Sequence, residues 1–230
     1  MIGKTPEIRR NVLRRVAQVV IFDSLIAVLM FAGAGRLDWL WAWVYTALML
    51  GIQLSGLFFM PLEVIAERGS KKGNTEGWDT VVTSLIIPAF LGIFLVAGFE
   101  VRLHGEAAIP VAGHAAALTV FLLGCALEIW AMRANRFFST EVRIQAEHGH
   151  TVCSSGPYRF IRHPGYVGMI LYYAVTPVFL GSWWAFGPAS LVVILFVVRT
   201  GFEDRTLQEK LPGYAAYASR VRFRLIPGVW

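Results

Sequence analysis

Two polar segments in the C-terminal half of the 230-residue chain hold the residue types that could perform chemistry. The first, residues 133–164, is the longest polar stretch between apolar runs. It leads into GPYRFIRHPGYVG (residues 156–168), where two prolines and three glycines lie among aromatic and basic residues. Prolines and glycines fix turns and expose backbone NH groups, so this segment is predicted to wrap a small polar ligand. Taken alone, Arg159 and Arg162 favour another role, in which their side chains extend to lipid head groups.

The second segment begins at Arg199, directly after the last apolar run, and includes Glu203. On a helix the two side chains share a face, because residues four apart are neighbours. The spacing by itself favours an ordinary helical ion pair that contributes a few tenths of a kcal/mol. Residues 207–227 form an aromatic and basic tail that is expected to fold back under the rest of the protein.

The elements that must position these segments are apolar helices. Apolar residues make up 56% of the chain and charged residues only 16%, against about 25% charged in soluble domains. Four runs have the roughly 20 residues that cross a bilayer core, and they cover residues 16–34, 40–60, 81–99 and 111–132. Two shorter runs, residues 165–180 and 185–198, flank GSWW (residues 181–184) and are predicted to form a helical hairpin.

The predicted fold is therefore all-α, a polytopic transmembrane helix bundle with four long spans plus a C-terminal helical hairpin. Residues 1–132 supply the first four helices, and residues 133–230 supply the polar segment, the hairpin and the tail of one integrated domain. No small-residue cleavage site follows the first run, which favours a retained helix over a signal peptide. Asp23 and Glu128 lie within apolar runs, where ionisable residues either pack against the bundle interior or serve substrate passage. Residues 68–77 are predicted to be a solvated loop.

The distribution of basic residues predicts the orientation in the membrane. Of the 21 lysines and arginines, 19 fall on one side of the predicted spans, and Arg36 and Arg102 fall on the other. Because short cytoplasmic loops carry the excess of Lys and Arg, both termini and the polar pocket are expected to be cytoplasmic. The net charge of +6 lies beside apolar runs, which favours membrane lipids as partners and argues against nucleic acid.

Two motifs give the C-terminal half a family resemblance. They are GHTVCSSGPYRFIRHPGYVG (residues 149–168) and RTGFEDRTLQEKLPGYAAYASRVRFRLIP (residues 199–227). Together they make residues 145–230 resemble the cofactor-binding half of isoprenylcysteine carboxyl methyltransferases and related bacterial membrane methyltransferases. The RHPxYxG box alone also resembles membrane sterol reductases and phospholipid N-methyltransferases. The chain departs from the family pattern at Asp204, where a second Glu is common, and at residues 211–213, where Phe-Gly is common.

The resemblance implies S-adenosyl-L-methionine as the cofactor and an amphiphilic, isoprenylated cysteine carboxylate or similar lipid-linked acid as the substrate. It implies that Arg199 faces the substrate. The residues that it places around the cofactor are Gln145, His150, Thr151, Val152, Cys153, Tyr158, His163, Pro164, Gly165, Tyr166 and Glu203.

The chemistry of methyl transfer suits these residue types. A methyl group on a sulfonium is already activated, so the protein mainly aligns it with a nucleophile and excludes water. A carboxylate nucleophile is ionised at pH 7 and needs neither a general base nor a metal, but a guanidinium can hold it through two hydrogen bonds. Three alternatives stay open at this point: a phospholipid N-methyltransferase, a membrane reductase that uses NADPH, and a non-enzymatic lipid-binding protein.

Overall fold

A computed structural model of the protein describes residues 6–60, 62–70 and 74–230. Lys4, Lys71 and Lys72, which entered the count of basic residues, lie outside these ranges. The described secondary structure is helical throughout. The α-helices are α1 (Pro6–Ala34), α2 (Leu40–Phe59), α3 (Leu62–Gly69), α4 (Gly77–His104), α5 (Val111–Ala134), α6 (Pro164–Leu180), α7 (Phe186–Lys210) and α8 (Tyr214–Arg220). Two short 3₁₀ turns, Ala146–His148 and Gly156–Arg159, interrupt the long α5–α6 connection.

The predicted all-α bundle with several membrane spans is confirmed. Within the described residues, α1, α4, α5 and α7 are long and apolar enough to cross a membrane, while α2 and α6 are shorter apolar helices. Each of the six predicted runs coincides with one of these helices. The second arm of the predicted hairpin is longer than expected, because α7 continues to Lys210. Polar residues on this extension, among them Asp204, are buried against partners inside the protein, so the helix does not end where the apolar run ends.

The connection between the second and third runs differs from the predicted solvated loop. Residues 62–69 form the short helix α3, which therefore includes Arg68. A side chain at Gly69 would place its Cβ 2.1 Å from the carbonyl oxygen of Asn11, so the end of α3 packs directly against α1. The loop prediction was wrong at Arg68 and Gly69, because the glycines and lysines after them gave the end of this short helix the composition of a loop, whereas residues 74–76 are not helical.

Glycines bring two pairs of helices into backbone contact. A Cβ at Gly168 of α6 would lie 2.5 Å from the carbonyl oxygen of Gly124 on α5, and a Cβ at Gly98 of α4 would lie 2.5 Å from the carbonyl oxygen of Met30 on α1. Small residues allow this close approach, which is typical of helix pairs in membranes. The contact at Gly168 fixes α6, which begins at Pro164, against α5.

The core between these pairs is aromatic. Tyr45, Phe94, Phe121 and Phe179 are buried and pack with ring centroids 5.2 to 5.8 Å apart. At the end of the bundle near the α6–α7 turn, Glu100 accepts hydrogen bonds from the Ser182 hydroxyl and the Trp184 backbone NH. The carboxylate thereby holds the tight turn of the hairpin.

Candidate active site

A polar cavity of about 260 Å³ lies at the opposite end of α6 and α7 from that turn. Its walls come mainly from the α5–α6 connection, the first half of α6, the second half of α7, and α8, and α3 contributes one residue. Most of the residues that the sequence suggested line it, namely His150, Thr151, Val152, Cys153, Tyr158, His163, Gly165, Tyr166, Arg199 and Glu203. The two polar segments, separated along the chain by the hairpin, are therefore brought together in space.

Gln145 and Pro164 do not line this cavity but hold residues of its wall in position. The Gln145 side chain is buried, and its amide donates to the carbonyl oxygen of Phe137 at 2.7 Å. The backbone NH of Gln145 donates to Nδ1 of His150 at 3.2 Å, which orients that imidazole. Pro164 is the first residue of α6, where a missing NH costs no intrahelical hydrogen bond.

Two glycines in the first motif are required by close contacts. Gly156 has a φ of +56°, and a Cβ there would lie 2.9 Å from that of Ala134. A Cβ at Gly165 would lie 2.6 Å from the ring of Phe138. The turn at Gly156 needs the left-handed backbone that glycine adopts without strain. The path of the motif around the cavity therefore depends on these two positions.

Asp204 is the centre of a buried charge network beside the cavity. Its two oxygens accept from Nε and Nη2 of Arg162 at 2.7 and 2.9 Å. They also accept from Nε of Arg224 at 2.8 Å and from the Tyr214 hydroxyl at 3.1 Å. Nε2 of His163 lies 3.4 Å from the same carboxylate. The network ties the first motif to α7, α8 and the tail.

Arg162 therefore does not extend to lipid head groups, as its sequence position alone suggested. It is buried and forms a two-point ion pair with Asp204. Its Nη1 also donates to the carbonyl oxygens of Val221 and Arg222, both at 2.8 Å. A guanidinium has five NH donors in a planar fork, which lets one side chain hold a carboxylate and a turn of backbone together. Arg159, in contrast, is exposed.

Arg199 is buried in a second ion pair, with a partner that sequence reasoning did not identify. Its Nε and Nη2 donate to the two oxygens of Asp79 at 2.7 and 3.1 Å, and Nη2 also donates to the carbonyl oxygen of Thr140 at 2.9 Å. Asp79 is fully buried and accepts from the backbone NH of Val142 at 2.8 Å. The sequence signal that could have drawn attention to Asp79 was its position two residues before an apolar run, which places it in the first turn of α4.

Glu203 is half-buried and bonds to Tyr166 instead of Arg199. The Tyr166 hydroxyl donates to Oε2 of Glu203. The ring of Tyr166 stacks on that of His163 with centroids 5.8 Å apart, and the Arg199 guanidinium carbon lies 5.5 Å from its centroid. The ordinary Arg199–Glu203 ion pair does not occur among the described residues, so Tyr166 is the side chain that connects the two.

Burial controls the protonation of two side chains in the cavity wall. It lowers the pKa of His150, so this imidazole is neutral near pH 7. Burial also raises the pKa of Tyr158, whose phenol therefore stays protonated. The Tyr158 backbone carbonyl accepts from the Tyr217 hydroxyl at 2.7 Å, which holds α8 over the cavity as the sequence predicted for the tail.

The described residues contain no group of three or more His, Cys, Asp or Glu side chains arranged to hold a metal ion.

A second cavity, of about 650 Å³, lies between helices α1 to α6 and is lined mainly by apolar side chains. Asp23 and Glu128 both line this apolar cavity. Asp23 accepts two hydrogen bonds from the Gln53 amide at 2.9 and 3.1 Å, and Glu128 accepts one from the Tyr172 hydroxyl at 3.1 Å. Both carboxylates thus have polar partners inside the bundle.

The polar and apolar cavities meet at a shared wall. Four residues line both of them: Arg68, Thr140, Met169 and Tyr173. The polar cavity holds charged and hydrogen-bonding groups, and the apolar cavity has the size and lining of a site for a hydrocarbon chain. The arrangement can hold a polar ligand and an amphiphilic ligand side by side.

Sequence comparison with known proteins found a matching family model and several similar proteins. The isoprenylcysteine carboxyl methyltransferase (ICMT) family model matches residues 116–209. The protein-S-isoprenylcysteine O-methyltransferase of Saccharomyces cerevisiae is 31% identical, over 39% of this chain and 38% of the relative. Protein-S-isoprenylcysteine O-methyltransferase B of Arabidopsis thaliana is 32% identical, over 45% of this chain and 54% of the relative. A probable protein-S-isoprenylcysteine O-methyltransferase of Oryza sativa subsp. indica is 34% identical, over 34% and 38%.

The chain thus spans between 38% and 54% of the length of these curated relatives. The matched region contains the first motif, α6 and most of α7, which are the elements that build the polar cavity. The resemblance of the C-terminal half to the isoprenylcysteine carboxyl methyltransferase family is therefore confirmed over residues 116–209.

Proposed function

We propose that this protein transfers a methyl group from S-adenosylmethionine to the carboxylate of an amphiphilic acceptor that arrives from the membrane. The acceptor class is an isoprenylated cysteine or a similar lipid-linked acid, by analogy with the names of the relatives. The observation that carries the proposal is the shared wall between a polar cavity and an apolar one. A methyl donor in the first and a lipid tail in the second would meet at that wall.

The side chains of the polar cavity suit the proposed cofactor. Its sulfonium and ammonium groups are cations, and Glu203 offers a carboxylate that Tyr166 holds in place. Its adenosine needs an apolar surface, which Tyr158, Val152 and Leu211 supply. The bound cofactor would contribute one thing to the chemistry, a methyl group that is already activated toward nucleophiles.

The protein itself has to orient the acceptor carboxylate and exclude water from the site. An acceptor carboxylate is ionised at pH 7 and needs no general base. Arg199 is proposed to stand on the acceptor side, where Asp79 and the Thr140 carbonyl fix its orientation. Of the three nitrogens of this guanidinium, Nε and Nη2 form these hydrogen bonds and Nη1 forms none with the described residues. The neighbouring wall of Tyr166 and Phe196 excludes water, which favours transfer between two aligned groups.

The proposed arrangement in the membrane follows the basic residues. Both termini and the polar cavity face the cytoplasm, where the cofactor would be available. Residues 1–132 and 133–230 act as one domain in this proposal, since each cavity takes walls from both parts. Cysteines introduced at Arg36 and Gly105 should react with impermeant reagents only from the outside. Labelling at either position from the cytoplasmic side alone would contradict the orientation.

One experiment separates the proposed function from its alternatives. The purified full chain in detergent is titrated calorimetrically with S-adenosylmethionine and, separately, with NADPH. Methyl transfer from labelled cofactor is then measured to N-acetyl-S-farnesylcysteine and to phosphatidylethanolamine. The proposal expects binding of S-adenosylmethionine and label in the farnesylcysteine ester. Binding of NADPH alone, label in the phospholipid alone, or no binding of either cofactor would overturn it in favour of the reductase, the N-methyltransferase or a non-enzymatic protein.

A further inference from the structure

Arg68 occupies a special position in the shared wall. It lies in the last turn of α3 and is the one arginine that lines both cavities within the described chain. Its guanidinium carbon lies 5.7 Å from the ring centroid of Phe138, which limits its orientation. The charged end of this side chain is therefore at the point where the two proposed ligands would meet.

The Arg68 guanidinium has fewer hydrogen-bond partners than those of the buried residues Arg162 and Arg199. Its Nη1 is buried and has no hydrogen-bond partner in the described parts of the chain. Arg162 and Arg199, in contrast, each have a carboxylate bound at two points. Glu67, the acid next to Arg68 in sequence, is 3.0 Å from Arg143 and pairs with it. A buried NH donor without a hydrogen-bond partner is destabilising, so this nitrogen is available to bind an acceptor group of a ligand.

The surroundings indicate what would satisfy Arg68. A guanidinium binds a carboxylate through two parallel hydrogen bonds, which fixes the plane of the carboxylate as well as its position. The apolar cavity on one side accepts a hydrocarbon tail, and the polar cavity on the other side contains Glu203, the group proposed for the methyl donor. A carboxylate bound to Arg68 would therefore lie between the hydrocarbon tail of the same acceptor molecule and the methyl donor.

We propose that Arg68 is the residue that binds the acceptor carboxylate, with Arg199 and Asp79 as a fixed, mutually neutralised pair beside it. This assignment rests on the proposed function and adds a positioning residue from the N-terminal half, outside the matched residues 116–209. Removing Arg68 should therefore remove discrimination between an acid and its neutral ester, while the cofactor still binds.

The test measures that discrimination directly. Binding of N-acetyl-S-farnesylcysteine and of its methyl ester is measured by equilibrium dialysis on the full chain in detergent at pH 7.5. Wild type should bind the acid about tenfold or more tightly than the ester, since only the acid carries a charge that can pair with Arg68. Arg68→Met, which keeps apolar bulk, should bring the two affinities to within about twofold by weakening the acid alone. Affinity for S-adenosylmethionine should change less than about twofold, because Arg68 is not placed on the donor.

Two further variants complete the design. Arg159→Met removes an exposed arginine that is not in either lining and should keep the wild-type preference for the acid. Arg68→Lys keeps the positive charge but not the planar guanidinium geometry, so it should retain part of the preference for the acid over the ester. It replaces Arg68→Met in the test if the methionine variant unfolds at a much lower temperature than wild type. Equal binding of acid and ester by wild type, or full preference in both Arg68 variants, overturns the assignment. An acid preference that depends on Arg68 in a protein that does not bind S-adenosylmethionine supports the assignment and instead overturns methyl transfer.

Discussion

Arg199 and Asp79 form a buried two-point ion pair across 120 residues of sequence, with Nε 2.7 Å from Oδ1. The pair joins α7, at the end of the chain that carries the second motif, to the first turn of α4. Asp79 also accepts from the Val142 NH and so holds the α5–α6 connection in the same place. One carboxylate on α4 thereby fixes two separate parts of the cavity wall, α7 and the α5–α6 connection.

Asp79→Asn should destabilise the protein strongly. Removing one partner of a buried ion pair leaves an uncompensated charge and costs about 3–5 kcal/mol. Adding Arg199→Met to Asp79→Asn should recover part of that loss, because the second change removes the unpaired charge. Denaturant unfolding of the purified variants in detergent measures both effects. Asp38→Asn breaks the exposed pair with Arg36 and serves as the control, with little or no expected change in the free energy of unfolding.

Glu203 and Arg199 should differ in what they do for ligands. Glu203→Gln should weaken S-adenosylmethionine binding by about tenfold, since the cationic cofactor loses its charged acceptor. Arg199→Lys keeps a cation for Asp79, so cofactor affinity should stay nearly unchanged while single-turnover methyl transfer falls, because an ammonium cannot hold Asp79 at two points and the acceptor side of the site is no longer fixed. Calorimetry and single-turnover kinetics on the same preparations measure the two quantities. If the arginine variant transfers methyl groups as fast as the parent, Arg199 has no place in the mechanism.

His150 should make the cavity sensitive to acid. Burial lowers its pKa, so the folded protein binds this proton less readily than the unfolded chain, in which His has a pKa of about 6.5. The neutral ring's contribution to stability is complete above that value and is lost as pH falls through the lowered pKa. Melting temperatures between pH 7.5 and 5.5 should fall less in His150→Gln than in wild type. His148, which is exposed, supplies the control, and His148→Gln should follow the wild-type curve.

Gly168→Ala should separate α5 from α6. The added methyl group would lie 2.5 Å from the Gly124 carbonyl oxygen, a distance that only a shift of the helix can relieve. Over-packing of this kind costs about 1–3 kcal/mol, and cofactor affinity should fall with it because α6 carries Tyr166. Gly51→Ala on α2 meets nothing within 4 Å, so it should be neutral or stabilising by up to about 1 kcal/mol. Unfolding measurements on both variants test the contrast.

The sequence predicted the helices and much of the polar cavity because both leave local signals. Apolar runs of bilayer length define the spans, and the Gly-Pro turns of the first motif define the loop that reaches His163 and Tyr166. Ion pairing leaves no such signal. Asp79 is far from Arg199 in sequence, so the acid nearest by helical spacing, Glu203, was the wrong partner for Arg199. The partner of Arg162, Asp204, is likewise distant in sequence and lies on α7.

The position of Arg68 was unpredictable for a different reason. A helix of eight residues gives too short a pattern to distinguish from a polar loop, and its glycine and charged neighbours strengthened the loop interpretation. Its importance depends on tertiary packing, since Gly69 lies against Asn11 and Arg15 of α1. Only the assembled bundle brings this segment to the edge of both cavities.

The two cavities draw their walls unequally from the chain, and this affects how the protein could acquire new acceptors. The lining of the polar cavity lies almost wholly in residues 135–217, whereas much of the apolar cavity comes from residues 15–68. The family match begins only at residue 116. If the proposed function holds, selection for a different lipid acid can reshape α1 and α2 and leave the proposed methyl-donor pocket intact, so that one reaction can be coupled to a changing range of lipids.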